Sequence, residues 1–83
     1  MYFTFSESAK KDIKKLPKPI QNRLKSKLLI WQDHKDPLEF AKRLTQHKEA
    51  THRFRIGAYR IIVKIVGDEM LVLRVRHRKD VYK

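Results

Sequence analysis

Apolar residues recur in two rhythms along this chain, and each rhythm predicts its own kind of element. Tyr2-Phe3-Thr4-Phe5 alternates, with Phe3 and Phe5 on one side and Tyr2 and Thr4 on the other, which is the period of a strand. Ser6 then supplies an N-cap oxygen, and Ala9, Ile13 and Leu16 follow at spacings of four and three, predicting a short amphipathic helix. Lys10, Lys11, Lys14 and Lys15 coat its outer side. Pro17 and Pro19 end it, since proline lacks a donor for the helical ladder and restricts the residue before it. Pro19 also suits the first turn of a second helix, from 19 to about 33, with the stripe Ile20, Leu24, Leu28 and Trp31 widened by Leu29 and Ile30. Asp36-Pro37 breaks that pattern, and residues 37–50 read as a short turn of helix or a loop carrying Leu38, Phe40 and Leu44 onto the core.

From residue 51 the period switches to two. His52, Phe54 and Ile56 alternate with Thr51, Arg53 and Arg55, so both arginines face away from the apolar set. Gly57-Ala58 and Gly67-Asp68 are two-residue turn signals with Gly leading, which makes 51–56, 59–66 and 69–76 a three-strand antiparallel meander. Isoleucine and valine occupy both faces of the middle strand, as in a central strand covered on two sides. The expected fold class is α+β: an N-terminal strand and a two-helix hairpin packed on an antiparallel sheet, in one domain spanning 1–83.

Charge changes the picture. A formal net charge of +12 and a pI near 10.3 call for a polyanionic partner. Nucleic acid, an acidic protein segment and an anionic membrane surface all qualify, and nucleic acid ranks first because cationic surfaces bind phosphate backbones irrespective of sequence. The absence of cysteine removes disulfides and thiolate metal sites and fits a reducing cytoplasm. MYFTFSESAKKD turns polar after five residues, unlike a signal peptide or anchor. No apolar run approaches the roughly 18 residues of a membrane span.

The two cation types are segregated: six of the eight arginines lie in 51–83, and ten of the thirteen lysines in the first fifty residues. Lysine on a helix is a flexible solubilising charge, whereas arginine presents a rigid fork of donors suited to phosphate. Arg53, Arg55 and Arg60 gather around the first hairpin, and Arg74 and Arg76 return to the same neighbourhood on the third strand. Such a cluster repels itself unless an anion occupies it. The tail Arg76-His77-Arg78-Lys79-Asp80-Val81-Tyr82 adds Arg76, Arg78 and Lys79 as substrate-binding cations, an imidazole, and a phenol able to stack on a base. His34, His47 and His52 lack the spacing of a metal motif, so no metal is expected.

Arginines with a His and a Tyr suit cleavage of RNA by its own 2′-hydroxyl. That reaction needs a base, cationic stabilisation of the phosphorane and an acid for the leaving 5′-oxygen. Glu49, just before the arginine strand, is the nearby carboxylate that could serve as base. The arginines, His77 and Tyr82 are expected to converge on a single pocket.

With R-x-R-x-G-x-Y-R-I-I-V at 53–63, R-H-R-K-D-V-Y at 76–82 and one strand, two helices and a meander in that order, the chain resembles the RelE/ParE superfamily of toxins from toxin-antitoxin pairs. The resemblance covers almost the whole length. It implies a RelE-like fold and, in the RelE branch, a ribosome-dependent endonuclease that cuts mRNA without a metal or cofactor. It also implies an acidic antitoxin partner. Arg53 and Arg55 match the two basic positions of the first meander strand, where RelE itself has lysines, so the base lies between these positions and Glu49. Arg60 matches the arginine that stabilises the transition state. His77, beside Arg76, falls where relatives place Arg or His as general acid, and Tyr82 matches the C-terminal tyrosine that orients the nucleotide. The ParE branch, which inhibits DNA gyrase, and a non-catalytic RNA-binding module are the alternatives.

Overall fold

A computed structural model of the chain describes residues 1–81. Its elements run β1 (Tyr2–Phe5), α1 (Glu7–Lys14), α2 (Lys18–Asp33), a 3-10 turn (Pro37–Phe40), β2 (Lys42–Arg43), β3 (His52–Ile56), β4 (Tyr59–Val66), β5 (Glu69–His77) and α3 (Arg78–Val81). The strands form one sheet in the order β1-β5-β4-β3-β2. β3, β4 and β5 are the predicted antiparallel meander, and β1 lies parallel to β5 at one edge. Gly57 and Gly67 open the two hairpin turns at φ of 56° and 60°, as turns with a leading glycine require.

Ser6 starts α1 as expected. Its Oγ accepts the Ala9 N–H at 3.1 Å and donates to the Leu73 carbonyl at 2.9 Å, so one hydroxyl both caps the helix and ties it to the sheet. Lys11 and Lys14 sit in the last turn, where they complement the helix dipole. The chain then turns at Pro17, and Gln21 Nε2 reaches back to the Leu16 carbonyl at 3.0 Å.

Cross-strand partners share a face, and Phe54, Ile61 and Val75 are in register, so they form the inner face of the sheet. Phe54 is fully buried between Trp31, stacked at 4.8 Å, and Phe3, edge-on at 5.3 Å. Val63, Met70 and Val72 from the sheet and Ala9, Leu24 and Leu28 from the helices complete the core.

Four expectations are corrected. Leu29 and Ile30 do not widen the stripe of α2 but stand 56% and 60% exposed, because Leu24, Leu28 and Trp31 already fill the contact with the sheet. Phe40 is exposed too, its ring lying outside Trp31 at 6.4 Å, although Leu38 packs on the core. β4 is central by hydrogen bonding but covered on one face: Lys64 and Val66 are exposed and Ile62 is half-buried. Residues 37–50 hold, besides a helical turn, the short edge strand β2, which pairs with β3.

The edge of β5 is closed in two ways. β1 covers it as far as the pairing of Phe5 with Val72. Beyond that point a bulge between the Ile62–Arg74 and Val63–Val72 pairs leaves Leu73 without a partner, and α1 takes over with side chains. Ser6 accounts for the Leu73 carbonyl and the Asp12 carboxylate accepts the Val75 N–H at 2.9 Å. We expect Phe54→Ala to lose about 3–5 kcal/mol, a large share of the roughly 5–15 kcal/mol total of a small domain, as read by urea denaturation.

Candidate functional site

Alternation sorts the meander's side chains between the two faces of the sheet. Arg55, Arg60 and Arg76 are in register across three strands, and Arg53, Ile62 and Arg74 form the adjoining row. Both rows lie on the face turned away from Phe54 and the helices. Lys42 of β2 is opposite Arg53 and extends the second row. Arg60 is 8% exposed, Arg53 and Arg76 are half-buried, and Arg55 is exposed with its Nε donating to the Gly57 carbonyl at 3.2 Å. Like charges directly opposite one another repel. The strand ladder holds these cations together nonetheless, which makes the face strongly electropositive.

Beside the rows lies a cleft of about 560 Å³ lined by Ser8, His47, Glu49, Ile62, Arg74 and Arg76 among others. Glu49 thus reaches the arginine face from a loop. That loop is pinned by His47, whose Nδ1 accepts the N–H groups of Glu49 and Ala50 at 3.2 and 2.9 Å. It is anchored further on by Thr51, whose N–H donates to the Val63 carbonyl at 2.9 Å and whose Oγ1 accepts the Ile65 N–H at 3.0 Å.

Arg74 is committed elsewhere. Its Nε and one terminal nitrogen donate to Asp12 at 2.8 and 3.1 Å in a bidentate pair. The Asp12 side chain is 14% exposed. Burial by itself would raise the Asp12 carboxyl, but the hydrogen bonds from Arg74 and the Val75 N–H, with the charges of Arg74 and Arg76, outweigh it and hold the group below its ordinary value. The hydrogen bond to Asp12 raises Arg74 correspondingly. On the opposite face of β3, burial and then the charge of Arg43 lower His52, whose Nδ1 lies 2.9 Å from Thr51 Oγ1.

His77 leaves the sheet on the face opposite the arginine rows. It is in register with Tyr59, which pairs with Ile56, so all three lie on the helix-covered face. The two rings stand edge-to-face with centroids 5.1 Å apart, and His77 Nδ1 accepts the Lys79 N–H at 3.2 Å. The expected single pocket does not take in the whole set: Arg76 and His77 line one cavity, which Arg53, Arg55 and Arg60 do not, and since neighbours on a strand point to opposite faces it is Arg76 that completes the arginine rows. This second cavity of about 360 Å³, lined by Asp12, Lys15, Tyr59, Arg74, Arg76 and His77 among others, lies at this end of β5. Arg74 and Arg76 line both cavities. Arg78 and Lys79 are exposed on α3, whose first N–H donates to the Ala58 carbonyl at 2.6 Å. Tyr82 lies outside the described residues.

Sequence reasoning missed Lys42 and Asp12. A two-residue strand has no period to detect, so Lys42 carried no signal. Asp12 did carry one: it sits at the position next to Ile13 and three after Ala9, an acid on the inward stripe of a helix otherwise coated with lysine. Among the described residues no group of three or more His, Cys, Asp or Glu side chains is arranged to hold a metal ion.

These features can be set against known proteins. The chain is a five-stranded sheet with a helical hairpin on one face and arginine rows on the other, and residues 3–82 match the family model described as the ParE toxin of type II toxin-antitoxin systems. The chain belongs to this RelE/ParE family and is a RelE-like toxin of a type II toxin-antitoxin system. It is 31% identical to toxin RelE3 of Methanocaldococcus jannaschii, over 99% of this chain and 96% of the relative. Among solved structures it resembles the RelB-RelE antitoxin-toxin complex from Methanococcus jannaschii, with a TM-score of 0.75, 29% identity, and 95% and 94% of the two chains covered. It also resembles the RelBE2 toxin-antitoxin complex from Mycobacterium tuberculosis, with a TM-score of 0.79, 28% identity, and 93% and 96% covered.

Two outcomes follow from the electrostatics. The lowered Asp12 means that the unfolded state binds more protons than the folded state in acid, so the stability from this clamp is present above about pH 4 and is lost as pH falls through the folded value. Asp12→Asn should lose about 1–3 kcal/mol at neutral pH, with the gap to wild type closing in acid titrations followed by circular dichroism. Conversely, Arg55→Gln should raise Tm at low ionic strength, by the equivalent of about 0.2–1 kcal/mol, since it removes a like-charge pair. Sulfate should stabilise wild type more than this variant in calorimetry.

Proposed function

We propose that this toxin is a ribosome-dependent mRNA endonuclease that cleaves by attack of the 2′-hydroxyl, and that an acidic antitoxin silences it by covering the arginine face. The observation that carries this reading is the register that sets Arg53, Arg55, Arg60 and Arg76 on one face. Arginine forks fixed by strands suit a phosphodiester whose charge grows as the phosphorane forms, and preorganised cations stabilise such a transition state without reorganising. Arg60 and Arg76 take that role. Arg53 and Arg55, with Lys42 alongside, hold the flanking phosphates. Glu49, lining the same cleft as Arg76, receives the 2′-hydroxyl proton. The Arg76 guanidinium neutralises the leaving 5′-oxygen, which takes its proton from solvent, and Tyr82 orients the nucleotide. Arg78 and Lys79, exposed on the tail, add phosphate contacts. The mRNA on its ribosome places the site of action in the cytoplasm, and no helix among the described residues is long and apolar enough to cross a membrane.

A gyrase-inhibiting reading is favoured by one observation, the description of the matching family model as a ParE toxin. Primer extension on mRNA from cells expressing the chain separates the two. We expect cuts within translated codons, and a decrease of about 10²–10³ in their rate for Arg60→Ala and for Arg76→Ala. Loss of DNA supercoiling with mRNA intact would instead identify the gyrase inhibitor.

A further inference from the structure

The cavity at the end of β5 is a site that the cleavage chemistry does not use. It shares Arg74 and Arg76 with the Glu49 cleft, and its lining combines two rings with cations: Tyr59 and His77 from the inner face of the sheet, Lys15 from the end of α1, and Arg76. At about 360 Å³ it lies at the small end of ligand pockets, which run from roughly 300 to 1,000 Å³. Nothing in the core accounts for it. Tyr59 and His77 are half-buried rather than sealed, and neither is among the residues that make up the apolar cluster. Two neighbouring rings perpendicular at 88° offer a face and an edge to a planar guest.

The ligand chemistry follows from what the walls can satisfy. Arg74 is held by Asp12, so the acid in the cavity is neutralised by its own partner and does not repel an anion. Arg76 reaches Asp12 only through its longer-range charge, and it lines the Glu49 cleft as well. With Arg74 held by Asp12, Arg76 is the shared cation that has no such clamp to α1. A phosphate on Arg76 would therefore have both cavities beside it.

We propose that the Tyr59–His77 cavity is a nucleobase subsite, holding the base of the nucleotide next to the phosphate gripped by Arg76. It deepens the nuclease reading and rests on it for the choice of RNA. Aromatic platforms bind single-stranded bases by stacking whatever their identity, so the subsite supplies position along the strand rather than sequence selection. His77 thereby becomes a substrate-contacting residue and not a proton donor.

The test uses the whole toxin without ribosomes and a fluorescein-labelled 2′-O-methyl tetranucleotide, which lacks the attacking hydroxyl and stays intact. Fluorescence anisotropy is compared with that of matched oligonucleotides carrying one abasic position at a time. We expect one abasic position to weaken binding to wild type by about tenfold, and this penalty to vanish in Tyr59→Leu and to survive in Tyr59→Phe. The salt dependence, set by the arginines, should be the same in all three proteins. If Tyr59→Leu does not fold, His77→Leu at the strand end carries the same comparison. Equal binding of intact and abasic oligonucleotides by wild type overturns the subsite, as does a Tyr59→Leu variant that keeps the abasic penalty or an absence of binding at low salt. Primer extension reports on the nuclease reading separately: intact mRNA together with a Tyr59-dependent abasic penalty would reject cleavage and keep the base site.

Discussion

Consecutive residues on a strand leave opposite faces of a sheet, and the placement of chemistry in this chain inherits that constraint. Tyr59 and Arg60 are adjacent in sequence yet work on opposite sides, as do Arg76 and His77. The inner face receives Phe54, Ile61, Val63, Met70 and Val72 and is covered by two helices. The outer face receives guanidinium groups that no apolar layer could cover without stranding their charge, so the sheet stays one-sided. A cationic face is thus the counterpart of a well-packed core, set by the same period.

One-sidedness makes the sheet's edges matter more. β1 pairs with only the first part of β5, and past Val72 the strand would present bare N–H and C=O groups at an edge. Ser6 and Asp12 occupy that stretch from α1 through side chains. Asp12 does two things there with one carboxylate: it satisfies the Val75 N–H and it draws Arg74 toward the helix. Had Arg74 stood free, the outer face would carry one more mutually repelling cation. The clamp therefore gives Arg74 a structural partner, at a position that lines both cavities.

Much of this was legible from the sequence. The two periods located β1, α1, α2 and the meander, the leading glycines located both hairpins, and the opposition of Arg53 and Arg55 to Phe54 followed from alternation alone. What was not legible has physical reasons. Leu29 and Ile30 look like core because helical periodicity cannot say how wide the sheet's contact is. β2 is too short to show a period, so the row containing Lys42 was invisible. The bulge at Leu73 is invisible for another reason: it depends on where β1 stops, which is a tertiary matter. For the site, proximity in sequence told only part: the strand continues to His77 and sends its ring to the face opposite Arg76, so the two share only the cavity at the end of β5 and not the arginine rows. Glu49 arrives by a loop whose course is fixed by His47 accepting two backbone N–H groups, a contact with no sequence signature.

The partition between lysine and arginine gains meaning from the fold. Lysines on α1 and α2 are exposed and flexible, so they add to a field that draws a polyanion from a distance and weakens with salt. The arginines of the meander are held by strand pairing, half-buried or buried for the most part, with their forks spaced by the ladder. Long-range attraction tolerates motion in the charged groups, but gripping one phosphodiester in a reactive geometry does not. A chain with lysine rows on the sheet and arginine on the helices would have the same net charge of +12 and would attract the same partners. It would lose the fixed forks that distinguish holding a phosphate from merely collecting one.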